Sequence, residues 1–207
     1  MDHRYEKLAD TLVYHSTKLN VGEKVLIHAF DIPQDMTMAL IRAVRECNAL
    51  PFVQVQNGRI DRECILGAET VQLETSLKWE MERMKSMDAY IAIRGSQNVF
   101  ENSDLPQEDL NRAMKILKPV LDWRVQKTKW CVLRWPTSSM AQQAKMSSEA
   151  FENFYFDACC MDYGRMSEGM EYLKNRMRSA DRVKITGPGT DLNFSIKGID
   201  AVACGGT

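Results

Sequence analysis

The sequence predicts an α/β fold: a three-layer domain with a mainly parallel sheet flanked by helices, followed by the first β-strands of a second domain. Short apolar runs rich in β-branched residues recur at residues 24–29, 52–56, 89–93 and 130–133. Between them lie segments whose apolar side chains return at helical spacing, the pattern of β-α-β crossovers and hence of a sheet covered on both faces. Near Ala180 this alternation stops, and residues 181–207 read as strands and tight turns with no helix between them. The expected division is therefore 1–180 for the N-terminal α/β domain and 181–207 for an opening β-hairpin and a further strand.

Taken in order, Tyr5, Leu8, Leu12, Val13 and Leu19 predict an amphipathic helix over residues 2–18, closed by Asn20-Val21-Gly22. The run Lys-Val-Leu-Ile-His-Ala is the first strand, with no polar alternation, as a strand buried on both faces requires. A helix from Gln34 carries Met36, Leu40, Ile41, Val44 and Cys47, and Asn48-Ala49-Leu50-Pro51 ends it. After the second strand, Leu73, Leu77, Met81 and Met84 mark a helix over 69–86. Asn102-Ser103-Asp104-Leu105-Pro106 opens another helix, striped by Leu110, Ala113, Met114 and Leu117. Beyond the fourth strand, Pro136 starts a helical stretch: Ala150, Phe151, Phe154, Tyr155, Ala158 and Met161 define one helix, and Met166, Met170, Leu173 and Met177 the next. Two β-type runs then flank Gly187-Pro188-Gly189, and a third is expected from Ile199.

Composition narrows the function. Lys plus Arg at 27 against Asp plus Glu at 28 leave a net charge of −1, so no global basic field invites nucleic acid or an anionic membrane. No apolar run approaches the roughly 20 residues needed to span a bilayer. The six cysteines are scattered without Cys-x-x-Cys spacing, the usage of a reducing compartment.

Candidate chemistry is sparse. His3 and His15 fall on the first helix without the spacing of a local metal pair, whereas His28 ends the first strand, where parallel sheets open their ligand crevice. Cys159 and Cys160 point about 100° apart on a helix, with no histidine nearby to generate a thiolate, so they read as core or half-buried thiols. Gly187-Pro188-Gly189 lacks the Gly-Lys-Ser/Thr ending and the helix of a phosphate loop, and no Gly-x-Gly-x-x-Gly follows the first strand. Glu80 with Glu82 lie on a solvated helix face, and Asp104, Glu108 and Asp109 suit the positive end of a helix. Trp123, Trp130 and Trp135 surround the fourth strand as packing residues. Thr137-Ser138-Ser139 is placed to cap the helix that follows, or to hold an anion there.

Three stretches carry a resemblance: Trp130-Cys131-Val132-Leu133-Arg134-Trp135-Pro136-Thr137 continuing through Ala141-Gln142 and Met146-Ser147; Phe151-Glu152-Asn153-Phe154-Tyr155-Phe156 leading to Asp162-Tyr163; and Gly187-Pro188-Gly189-Thr190-Asp191-Leu192 with Phe194-Ser195-Ile196-Lys197-Gly198. In order and spacing they resemble the thermophilic-type metalloaminopeptidase family, the aminopeptidase T and aminopeptidase S group. The resemblance implies a cytoplasmic, homodimeric exopeptidase of two domains acting on peptides. Two divalent metal ions, Zn, Co or Mg, would activate water for attack on the N-terminal peptide bond. In that family the glutamate, histidine and aspartate ligands and the catalytic tyrosine belong to the second domain, beyond the strand after Gly198. No residue here matches them, so catalytic, cofactor-binding and metal residues are all expected to be none, and the chain alone is expected to be inactive, with its catalytic domain absent. The alternative is a stand-alone small-molecule or partner-binding module using the crevice near His28, Arg94-Gly95-Ser96 and Thr137-Ser138-Ser139.

Overall fold

A computed structural model describes residues 2–206. Strands β1 (Lys24–Phe30), β2 (Leu50–Gln56), β3 (Ala89–Arg94) and β4 (Lys129–Arg134) form one parallel sheet in the order β2-β1-β3-β4. The interior strands read as unbroken apolar runs because both of their faces are covered, while the edge strand β4 alternates half-buried and exposed.

The first helix, α1 (His3–Asp10), begins at Asp2, whose carboxylate accepts the Arg4 N–H at 2.9 Å. It does not run to residue 18 as one α-helix. The chain widens into a π-helical turn, Thr11–Ser16, because the Thr17 N–H reaches back five residues to the Leu12 carbonyl at 3.0 Å and its hydroxyl adds a second bond there at 2.8 Å. Then follow α2 (Gln34–Glu46), α3 (Gly58–Ile65), α4 (Thr70–Lys85), α5 (Gln107–Lys127), α6 (Ser138–Gln143) and α7 (Ser148–Cys159). Sequence periodicity left α3 unassigned, since none of its residues is buried.

Over β1 and β3 the sheet is covered on both faces, whereas the edge strand β2 leaves Phe52, Val53 and Val55 exposed. On one face, Val25, Ile27, Ile91 and Ile93 pack with Leu8, Leu12, Val13, Met36, Leu40 and Val44, joined by Trp135, Tyr155 and Phe156. On the other, Leu26 and Tyr90 meet Met84, Met87 and Val120. One apolar stripe loses a member and another turns out rotated. On α5 the inward face is Ala113 and Val120, and Met114 is 70% exposed. On α7 it is Tyr155 and Phe156, while Phe154 is 60% exposed and Ala150 and Ala158 lie outside. An aromatic-rich helix offers apolar side chains on neighbouring faces 100° apart, and here contact with Tyr5 and Trp135 selects one of them.

The chain divides into two compact units, Met1–Met161 and Asp162–Thr207. The second contains α8 (Tyr163–Ser179), capped by Asp162, and the antiparallel hairpin of β5 (Arg182–Gly187) and β6 (Thr190–Ser195). Gly189, at φ +70°, supplies the left-handed position that follows Pro188 in this two-residue turn. The expected third strand does not form among the described residues. The Ile199 N–H instead bonds the Ile196 carbonyl at 3.0 Å across a turn with Gly198 at φ +79°, so its backbone is used locally rather than in a ladder. Thr207 of that expected strand, and Met1 of the expected 1–180 domain, lie outside the described residues. The stripe of α8 is not a buried one: Leu173 is 59% exposed and Met177 is also exposed.

Candidate functional site

From β1 the chain passes to β2 on one side and later to β3 on the other, so the loops after β1 and β3 part company at the carboxyl ends of the strands. Ligand crevices form at such a point in open α/β sheets. Here a cavity of about 520 Å³ opens at that edge. Register places the last residues of the four strands side by side, Gln56 with Phe30, Phe30 with Arg94, and Arg94 with Arg134. Register partners in a sheet stand on the same face. One row deeper come Gln54, His28, Ala92 and Val132.

His28 is half-buried and fully committed to protein partners. Its Nε2 lies 2.6 Å from Gln56 Oε1 and its Nδ1 2.8 Å from the Tyr90 hydroxyl. The Gln56 Nε2 donates to Asp61 Oδ1 at 2.5 Å, which leaves Gln56 Oε1 to accept. His28 therefore carries its proton on Nε2, and Tyr90 donates to Nδ1. Burial holds the His28 pKa below its usual value, opposed by the Gln56 bond and assisted by the nearby Arg124 and Arg94 charges. Burial likewise raises the Asp61 carboxyl, with the Gln56 bond opposing it. Beneath the network the Arg124 guanidinium sits 3.8 Å over the Tyr90 ring.

Two loops add to the lining. Asp31, at φ +49°, accepts the Asn57 Nδ2–H at 2.6 Å and the Gly58 N–H at 2.7 Å, tying the end of β1 to the start of α3. Gly95 donates its N–H to the Phe30 carbonyl at 2.7 Å, and a Cβ at Gly95 would lie 2.2 Å from the Asp31 carbonyl oxygen. Only glycine permits that approach of two backbones. Thr137, expected to cap the next helix through its hydroxyl, occupies the cap position but bonds elsewhere: its Oγ1 and that of Ser139 converge on the Ser96 carbonyl at 2.8 and 2.5 Å. The hydroxyls are thus spent on shaping the loop after β3. The Tyr155 hydroxyl donates to the Arg134 carbonyl and fixes the end of β4.

The other sequence candidates stay apart from this crevice. His3 is exposed on α1, and His15 lies in the π-helical turn. Cys160 is buried and Cys159 half-buried, and burial pushes both thiols up, as it does Cys131. Glu80 pairs with Arg83; Asp104 pairs with Arg62 at 2.9 Å; Asp109 accepts the Gly67 N–H at 2.9 Å. Sequence reasoning reached His28, Arg94, Gly95 and Ser96 but missed Asp31, Gln56, Asp61 and the role of Arg134. The available signal was positional, since Gln56, Arg94 and Arg134 each close a strand. The lining offers hydrogen-bonding groups and charges of both signs.

Fold and site together define an open parallel α/β unit with a polar crevice at its switch point. The chain belongs to the thermophilic metalloprotease (M29) family, whose sequence model matches residues 1–200. Among solved structures, wild-type AmpT from Thermus thermophilus superposes with a TM-score of 0.69 at 20% identity, over 93% of this chain and 53% of that one. The chain thus spans about half the length of AmpT and shares its fold over that half. A LacI-family transcription regulation repressor from Corynebacterium glutamicum matches at 8% identity, over 63% of this chain and 60% of that one, with a TM-score of 0.28 that carries no argument. No curated protein sequence matches the chain.

The family is one of metal-dependent peptidases, and the described residues do not fit a metal centre. No group of three or more His, Cys, Asp or Glu side chains converges among them. The ring nitrogens of His28 are both engaged by protein, and no helix of the described residues is long and apolar enough to cross a membrane.

Proposed function

We propose that this chain is the N-terminal part of a metal-dependent aminopeptidase that releases N-terminal amino acids from peptides, and that the metal-binding catalytic domain is supplied by residues outside it. The observation that carries the reading is the family match over residues 1–200 in a chain whose described side chains form no metal-ligating group. In the whole enzyme two divalent ions, Zn, Co or Mg, sit in the catalytic domain, the protein is cytoplasmic, and two copies pair. Residues 1–180 then serve as the N-terminal domain and residues 181–207 as the entry into the catalytic one. The test is direct: the 207-residue chain is incubated with an aminoacyl chromogenic substrate and each metal in turn. No turnover is expected with any of them, and metal-dependent release of the chromophore would overturn the proposal.

A further inference from the structure

Arg94 and Arg134 are register partners on adjacent strands, so their side chains rise from neighbouring positions on one face at the rim of the cavity. Among the described residues neither guanidinium makes an ion pair or a hydrogen bond. Two like charges at neighbouring positions repel each other. Arg59, the third arginine of the lining, already faces Glu101 at 3.9 Å, so the unanswered charge belongs to the Arg94 and Arg134 pair. Guanidinium forks recognise planar oxyanions through paired N–H bonds, which fits a carboxylate.

The rest of the lining limits what carries that carboxylate. Asp31, Asp61 and Glu101 set three carboxyl groups against the three arginines, so the cavity as a whole is balanced and disfavours a polyanion. Phe30 and Val99 add apolar wall. A cavity of about 520 Å³ accommodates a small ligand with both charges and an apolar side chain. We propose that this crevice binds an amino acid or short peptide, its carboxylate held between Arg94 and Arg134 and its ammonium turned toward the carboxyl groups across the cavity. The inference stands on the lining alone and does not depend on the peptidase reading.

Isothermal titration of the intact chain with leucine and glycyl-leucine, alongside their C-terminal amides and inorganic phosphate, tests it. Saturable binding of the free acids is expected at millimolar concentration, with the amides weaker by about tenfold or more, the cost of losing a charge-assisted contact. Arg134 is exposed on an edge strand, so Arg134→Met leaves the fold intact and should weaken the acids by about the same factor, with Arg134→Lys between the two. Amides that bind as well as acids, Arg134→Met binding like the unaltered chain, phosphate binding more tightly than either acid, or no saturable heat with any acid would each overturn the proposal. The acid and amide comparison needs no variant, so it decides even if a substitution fails to fold.

Discussion

His28 donates its Nε2–H to Gln56 Oε1 across 2.6 Å, joining β1 to β2 at the bottom of the crevice and leaving the imidazole no free nitrogen. That single contact orders a chain of donors from Tyr90 through His28 and Gln56 to Asp61, each group fixed by the next. Its members differ in how they respond to pH.

The His28 pKa is lowered on folding from 6.5, so the unfolded chain binds that proton more readily. Its contribution to stability is present above the unfolded value and is lost as pH falls below it toward the folded one. Urea midpoints taken at about pH 7.5 and about pH 5.5 should drop more for the unaltered chain than for His28→Gln. Asp61 has the opposite sign. Its pKa is raised from 3.8, so its favourable contribution exists below that value and disappears as pH rises through the folded pKa. Asp61→Asn should therefore be the more stable form at neutral pH, and its advantage should vanish in acid.

Gly95 lies where two backbones touch, and a methyl group there meets a carbonyl oxygen that has no flexible end to swing away. Gly95→Ala should destabilise by about 1–3 kcal/mol through overpacking, measured as a lower urea midpoint with an unchanged slope. Gly58→Ala meets the Asp31 side chain at 2.9 Å, which can give, and should cost less.

The hydroxyls of Thr137 and Ser139 are the clamp on the loop after β3. Replacing both, as Thr137→Val with Ser139→Ala, removes two bonds to one carbonyl and should cost roughly 1–3 kcal/mol. Hydrogen exchange should accelerate at residues 95–106 more than in α5. Uniform acceleration across the unit would assign the pair a general rather than a local role.

Thiol reactivity should separate by burial. Cys64 and Cys204 are exposed, whereas Cys131, Cys159 and Cys160 sit where burial raises the thiol pKa and keeps the thiolate scarce. Brief alkylation of the native chain at neutral pH, followed by peptide mass analysis, should label Cys64 and Cys204 first. Cys160 is 7% exposed in the core cluster that includes Leu8 and Phe156, and its early labelling would contradict that burial.

Much of this molecule was legible in the residue order because periodicity is local. A run such as Ala-Tyr-Ile-Ala-Ile must be a strand covered on both faces, and Pro188-Gly189 between two β-type runs must turn. The same local logic misplaced the inner face of α7 and expected a strand at Ile199, because spacing names the residues fit for burial or pairing without naming the surface they meet. Strand order and register decided the rest. They bring Gln56, Phe30, Arg94 and Arg134 into one row although the chain separates them widely, turn Thr137 from a helix cap into a loop clamp, and fix which nitrogen of His28 holds the proton. Adjacency across a sheet is a property of pairing between distant segments, and only the assembled tertiary structure contains it.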